Sequence, residues 1–185
     1  MQTLQLIQQK RQQLQSLEFE KFWQIGPSTG QLLKDYTLKS KAHNVLELGS
    51  SSGYSGLWIA EALLETGGQL FTIESHLQRY QTALQSFEDA GVSSFIHAIK
   101  DHAPEVFTRL PRPNFDLIFI DCTKQQTTEI FQEAYKVLQP LGYILIDNIN
   151  SHKDSFADFF CYLKAHNYTY EIIDIDAGVL VFQKK

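Results

Sequence analysis

Four side chains in two short runs carry the groups that a hard cation and a proton transfer would need. Ile118-Phe119-Ile120-Asp121 is followed by Cys122, Thr123 and Lys124, and Ile144-Leu145-Ile146 by Asp147 and Asn148. If both runs are neighbouring strands, their tips lie roughly 5 Å apart and Asp121, Asp147 and Asn148 converge on one point. Two carboxylates and an amide oxygen are hard ligands that leave positions for water or substrate oxygens, which describes a Mg²⁺ or Mn²⁺ site. No His or Cys is needed, which argues against zinc. Lys124 could face such a cation, where it would lose its proton more easily and act as a general base. Taken separately, Asp121 could equally cap a helix, Asp147-Asn148 form a polar turn, and Lys124 sit in solvent.

A second constellation lies upstream. Glu47-Leu48-Gly49-Ser50-Ser51-Ser52-Gly53-Tyr54-Ser55 is a small-residue loop between an apolar run and a helix. Its glycines and serines let a ligand approach the backbone, and the helix start offers unpaired N–H donors. It is not a GxGxxG motif. Glu74 ends the next apolar run, 21 positions beyond Gly53, where a carboxylate can accept hydrogen bonds from a ribose diol. Glu47 lies inside an apolar run, and a buried carboxylate is costly unless a ligand or backbone group pairs with it. Loop and Glu74 together imply an adenosine-containing cofactor. Tyr54 could fall near it, and His102 is expected to line its base. Trp58 reads as core, and the remaining histidines show no ligand spacing.

The elements that would hold these residues fit one domain spanning residues 1–185. The 185-residue chain is 43% hydrophobic and 20% charged, enough for one independent core. A net charge of −5 disfavours general attraction to nucleic acid or anionic lipid. No stretch of about 18 apolar residues or signal-peptide core occurs, so a cytoplasmic protein without a membrane partner is expected. Cys122 and Cys161 are too far apart for a CxxC site, and neither a disulfide framework nor thiolate zinc is indicated.

A glutamine-rich helix from Gln2 to about Glu20 either docks on the domain or forms a dimer contact. A second helix through Leu32, Leu33 and Tyr36 has Ser28 as its N-cap candidate. Five apolar runs follow, at Asn44-Leu48, Gln69-Glu74, Phe95-Ile99, Phe115-Asp121 and Tyr143-Asp147. They alternate with helices at Tyr54-Glu65, His76-Ala90, Pro104-Leu110 (short) and Thr127-Leu138. That order predicts an α/β fold with a parallel sheet between helices. A last helix, Lys153-Ala165, precedes runs Tyr168-Ile175 and Val179-Gln183 joined at Asp176-Ala177-Gly178, a hairpin signal. Pro111-Arg112-Pro113-Asn114 reads as a surface loop.

From Ile25 to Asn148 the sequence resembles the class I S-adenosylmethionine-dependent O-methyltransferases, in particular the cation-dependent catechol and caffeoyl-coenzyme A branch and its bacterial members. Val45-Leu46-Glu47-Leu48-Gly49 through Gly53-Tyr54-Ser55 is similar to the family's cofactor loop. The resemblance implies that the backbone around Gly49 and Ser51, together with Ser55, holds the methionine part and that Glu74 binds the ribose. Asp101, His102 and Ala103 match the segment bordering the adenine, with Asp101 where the family usually has glycine. Asp121 with Lys124 matches the metal aspartate and catalytic lysine, and Asp147-Asn148 match the other metal ligands. Cys122, at a position where small residues are common, reads as packing.

The resemblance further implies a Rossmann-like, doubly wound, seven-stranded, mostly parallel sheet with a C-terminal antiparallel hairpin. Residues 1–40 would pack on or dimerise the core, and a homodimer is expected. The implied reaction is metal-dependent methyl transfer from S-adenosylmethionine to a hydroxyl of a small catechol-like acceptor, with Mg²⁺, Mn²⁺ or Ca²⁺. Ile149-Asn150-Ser151-His152 leads almost directly into the last helix, so an open pocket, one completed by a partner subunit or one suited to a bulky acceptor is expected. A related bacterial branch methylates a hydroxylated wobble uridine of tRNA; the net charge speaks against that acceptor, though a local basic patch could form around Lys34, Lys39, Lys41 and Arg112 or across a dimer. A nicotinamide-dependent oxidoreductase and a noncatalytic cofactor-binding protein are the other readings.

Overall fold

The computed structural model describes residues 2–16, 22–110 and 114–185. The expected end of the first helix at Leu17 to Glu20 and the loop residues Pro111 to Pro113, with Arg112 of the basic patch, fall outside them. The helices are α1 (Gln2–Gln15), α2 (Pro27–Lys39), α3 (Tyr54–Thr66), α4 (Leu77–Asp89), α5 (Thr127–Val137) and α6 (Ala157–Ala165). The strands are β1 (Asn44–Leu48), β2 (Gln69–Glu74), β3 (Ile96–Lys100), β4 (Phe115–Ile120), β5 (Leu138–Ile146), β6 (Tyr170–Ile173) and β7 (Val179–Gln183).

Seven strands form one sheet in the order β3-β2-β1-β4-β5-β7-β6. β1 to β5 pair in parallel, whereas β7 runs antiparallel to both β5 and β6. This is the expected doubly wound sheet with its terminal hairpin. Alternate side chains feed its two faces. Val45, Leu117, Phe119 and Leu145 join a core with residues of α1 to α4, while Leu46, Ile118, Ile120 and Ile146 join a second core with Ile130 and Phe131 of α5 and Phe159 and Leu163 of α6.

Several boundaries differ from the sequence reading. β5 begins at Leu138 rather than Tyr143, because the register to β4 jumps from Phe115↔Leu138 to Leu117↔Tyr143, so that Pro140 and Gly142 sit in an irregularity within one strand. Pro104-Leu110 forms only a 3₁₀ turn, Glu105–Thr108, and the last helix begins as a separate 3₁₀ turn, Lys153–Phe156. The N-cap of α2 is Gly26 rather than Ser28, with Pro27 in the first turn, where its missing N–H costs nothing. A side-chain acceptor still arrives, from far away in sequence: Asp176 in the β6–β7 turn accepts the Thr29 N–H at 2.7 Å.

Helix α1 docks on the domain. Ile7 and Leu14 enter the core, and Arg11 Nη2 meets Glu61 Oε2 at 2.6 Å while its guanidinium lies 3.6 Å from the centroid of the Trp58 ring. Lys34 binds the other oxygen of Glu61 at 2.7 Å, so three helices share one carboxylate. Trp58 is thus a packing residue, as its helical position suggested. Among the described residues, no helix is long and apolar enough to cross a membrane.

Candidate active site

Between β1 and β4 the strand order reverses, which opens a crevice at the carboxyl ends of a parallel sheet. Backbone bonds carry the ladder one step past the strand ends. The Gly49 and Ser50 N–H groups donate to the Ile73 carbonyl at 2.9 and 3.1 Å, the Asp121 N–H to Leu48 at 2.9 Å, and the Asp147 N–H to Ile120 at 3.1 Å. The tips are therefore fixed side by side. Gly49 is at φ +108°, and a Cβ there would lie 2.1 Å from the Asp121 carbonyl oxygen, so only glycine fits.

Glu74 is held at both oxygens. Its Oε2 accepts the Ser51 N–H at 2.9 Å and its Oε1 the His76 N–H at 2.8 Å. These bonds aim the carboxylate while leaving lone pairs for a diol. Glu47 is fully buried, accepts the Thr72 hydroxyl proton at Oε2, and has no well-formed bond at Oε1, although Ser55 lies beside it. Burial pushes its carboxyl up to about 7 against the pull of the Ser55 and Thr72 hydroxyls.

At the β4 and β5 tips, Lys124 Nζ donates to Asp121 Oδ1 at 2.8 Å. Asp147 is 2% exposed, receives the Asn148 amide at Oδ2 at 3.0 Å, and has no partner for Oδ1. Burial first, and the nearby Asp121 second, push its carboxyl up to about 7. A buried, half-satisfied acid next to a second acid is relieved by a hard cation, so the donor set fits one. Three or more His, Cys, Asp or Glu side chains nowhere converge as a metal cluster among the described residues; the expected set contributes two acids and one amide.

A cavity of about 830 Å³ joins these groups, within the usual range for cofactor and ligand sites. Its wall includes Gly49, Ser51, Glu74, His102, Ala103, Asp121, Lys124, Asp147 and Asn148. Nine of the expected site residues thus share one space. Glu47, Gly53, Tyr54 and Ser55 do not reach the wall. Gly53 caps α3 in the left-handed region, and the buried Tyr54 hydroxyl accepts from Gln15 at 2.7 Å.

Other wall residues escaped the sequence reading. Phe22, Trp23 and Gln24, from the chain ahead of α2, line the cavity. The Ser51 hydroxyl donates to the Phe22 carbonyl, Gln24 Nε2 to the Leu14 carbonyl at 3.0 Å, and the Arg79 guanidinium lies 4.9 Å from the centroid of the Trp23 ring. An aromatic pair just before the Gly26-Pro27 break was the only local signal. Gln125 and Gln126 precede α5, and His152 and Ser155 follow Asn148. Asp101 also lines the cavity, paired with Arg109 at 3.0 Å. The chain thus adds residues 22–24, 125, 126, 152 and 155 to the cavity wall. Cys122 borders the cavity too, with burial pushing its thiol up to about 12, which keeps it protonated and consistent with packing.

A profile of the methyltransferase domain matches residues 46–149, from the β1 strand through the Asp147-Asn148 pair. The chain belongs to the methyltransferase-domain family. A catechol O-methyltransferase of Niastella koreensis is 33% identical over 128 residues, which cover 68% of this chain and 58% of that protein. The match thus spans little more than half the length of that relative. Among solved structures, an O-methyltransferase from Bacillus cereus in complex with SAH superposes with a TM-score of 0.83 at 20% identity, covering 99% of this chain and 90% of that one. The SAH-bound methyltransferase PaMTH1 of Podospora anserina gives 0.87 at 18% identity, with 97% and 88% covered. At such identities the superpositions establish the methyltransferase fold.

Proposed function

We propose that this methyltransferase domain transfers a methyl group from S-adenosylmethionine to a hydroxyl of a small, catechol-like acceptor, with a divalent cation bound beside the reacting oxygen. The observation that carries the reading is the cavity shared by Glu74 and Gly49 at one end and by Lys124, Asp121 and the half-satisfied Asp147 at the other. Gly49, Ser51 and the Glu74 carboxylate would bind the cofactor, with His102 and Ala103 along its adenine. When bound, the cofactor supplies the methyl group on a sulfonium. Asp121, Asp147 and Asn148 would hold Mg²⁺, with Mn²⁺ or Ca²⁺ as alternatives; a cation there acidifies a bound hydroxyl.

Lys124 is the proton acceptor in this reading. Its Nζ, which donates to Asp121, would first give up a proton to solvent, and the neutral amine would then take the hydroxyl proton. The backbone bonds at the strand tips fix the reacting groups relative to one another, and such positioning can be worth roughly 7–11 kcal/mol of barrier. Glu47, behind the loop, orients Thr72 and Ser55 rather than touching the cofactor.

The acid-rich wall, with Glu74, Asp101, Glu105, Asp121 and Asp147 against Arg79 and Lys124, favours a small acceptor over a tRNA. The test is a pair of calorimetric titrations with S-adenosylhomocysteine and NADH. Binding of the first alone supports the reading, and binding of NADH alone overturns it.

A further inference from the structure

The cavity wall divides by chemistry along the sheet. Phe22, Trp23, Leu48, Ile73 and Ala103 supply its apolar surface. Leu48 and Ile73 lie in β1 and β2, and Ala103 follows β3. Phe22 is tethered on the same side by the Ser51 hydroxyl and Trp23 by the Arg79 guanidinium of α4. Beyond β4 and β5 the wall is polar. Once Asp121, Lys124, Asp147 and Asn148 are given to the cation and the proton, the wall residues left there among those described are Cys122, Thr123, Gln125, Gln126, His152 and Ser155. All but Cys122 carry strong hydrogen-bonding groups. Apolar residues are present in the same stretch of chain but face away from the cavity: Ile149 and Phe156 are 1% and 0% exposed, within the second core. Both loops are pinned in this orientation. The Ile149 and Asn150 N–H groups donate to the Gly178 and Ala177 carbonyls at 3.0 and 2.9 Å, and the Thr127 hydroxyl donates to the Lys124 carbonyl at 2.9 Å, closing the turn that carries Gln125 and Gln126.

An alkyl arm laid on this surface strips water from amides and hydroxyls without replacing their hydrogen bonds, whereas an arm with hydroxyl or amide groups replaces them. A site built to hydrogen-bond a polar group discriminates against the analogue that lacks it. We propose that the methyl acceptor carries a hydroxyl- or amide-bearing arm beyond its reacting hydroxyl, recognised by Gln125, Gln126 and Ser155, and that acceptors with an alkyl arm are poor substrates. This rests on the methyl-transfer reading above and narrows its acceptor class.

The test compares catechol, 4-(2-hydroxyethyl)catechol and 4-propylcatechol with saturating S-adenosylmethionine and Mg²⁺. The last two differ only by a hydroxyl in place of a methyl. The wild type should prefer the hydroxyethyl compound over the propyl one at least about tenfold in kcat/KM, the worth of one well-formed hydrogen bond, with the difference in KM. The combined variant Gln125→Leu, Gln126→Leu, Ser155→Ala should bring that ratio close to one, while turnover of catechol, which has no arm, stays at the wild-type level. A wild-type ratio close to one or below it, or a ratio unchanged in the variant, overturns the proposal and leaves methyl transfer standing. A wild type that methylates none of the three overturns both.

Discussion

Lys124 Nζ donates to Asp121 Oδ1 at 2.8 Å, three residues apart on the loop that leaves β4. The pair keeps the lysine Nζ beside the site where the acceptor hydroxyl would bind. Lys124→Met should therefore lower kcat by about 10²–10⁴-fold, the usual worth of a positioned base. Cofactor affinity, set at the other end of the cavity, should stay nearly constant; a parallel loss of S-adenosylhomocysteine binding in calorimetry would refute the division of labour.

Asp147→Ala should abolish metal-dependent turnover with cofactor binding nearly intact. The side chain is buried with Oδ1 unpartnered, so the change also removes a strained acid. Melting of the variant with EDTA should match or exceed that of the wild type, while added Mg²⁺ should stabilise the wild type alone. Equal stabilisation of both proteins by Mg²⁺ would remove Asp147 from the cation site.

Much of this arrangement was legible in the sequence, and the reasons are local. The bounds of β1, β2 and β7 follow from short apolar runs bracketed by polar residues, and the crossover helices follow from their spacing. That the candidate residues at the strand ends share one cavity was legible because a doubly wound sheet gathers its strand tips on one edge. What escaped depends on contacts distant in sequence. Trp23 and Arg79 meet although α2, β1, α3 and β2 lie between them in the chain. Asp176 caps α2 from 147 residues away, a partnership no local pattern encodes. β5 was read short because Pro140 and Gly142 are strand breakers, yet a register shift accommodates them.

Glu47 gives the protein a pH-dependent stability. Its carboxyl is raised from 4.5 to about 7 by burial, so the folded state holds the proton that the unfolded state releases. The stability from this group is fully present below about pH 4.5 and is lost as pH rises through about 7. Glu47→Gln keeps a partner for Thr72 and cannot ionise. Above pH 7 it should be more stable than the wild type, by up to roughly 3 kcal/mol, with the gap closing toward pH 5. Denaturant melts at pH 5 and pH 8 measure this, and a gap independent of pH would show that Glu47 ionises normally.

Glu61 is the shared acid of Arg11 and Lys34, and it is 7% exposed. Removing it in Glu61→Ala leaves the largely buried Arg11 guanidinium without its charge partner, which typically costs about 3–5 kcal/mol. Because Gln15 and Gln24 link α1 to Tyr54 and to the segment that lines the cavity ahead of α2, cofactor affinity should fall along with stability. Hydrogen exchange should rise first in α1; uniform exchange across the sheet instead would mean that α1 is not a separately docked element.

The central claim is one reaction in one cavity. It is tested most directly by incubating the purified protein with S-adenosylmethionine and a catechol, in Mg²⁺ and in EDTA, and quantifying methylated catechol and S-adenosylhomocysteine together. The account predicts equal amounts of the two products in Mg²⁺ and neither in EDTA. Equal turnover in EDTA would contradict the role given to Asp121, Asp147 and Asn148, and cofactor binding with no methylated catechol in either condition would contradict the acceptor class.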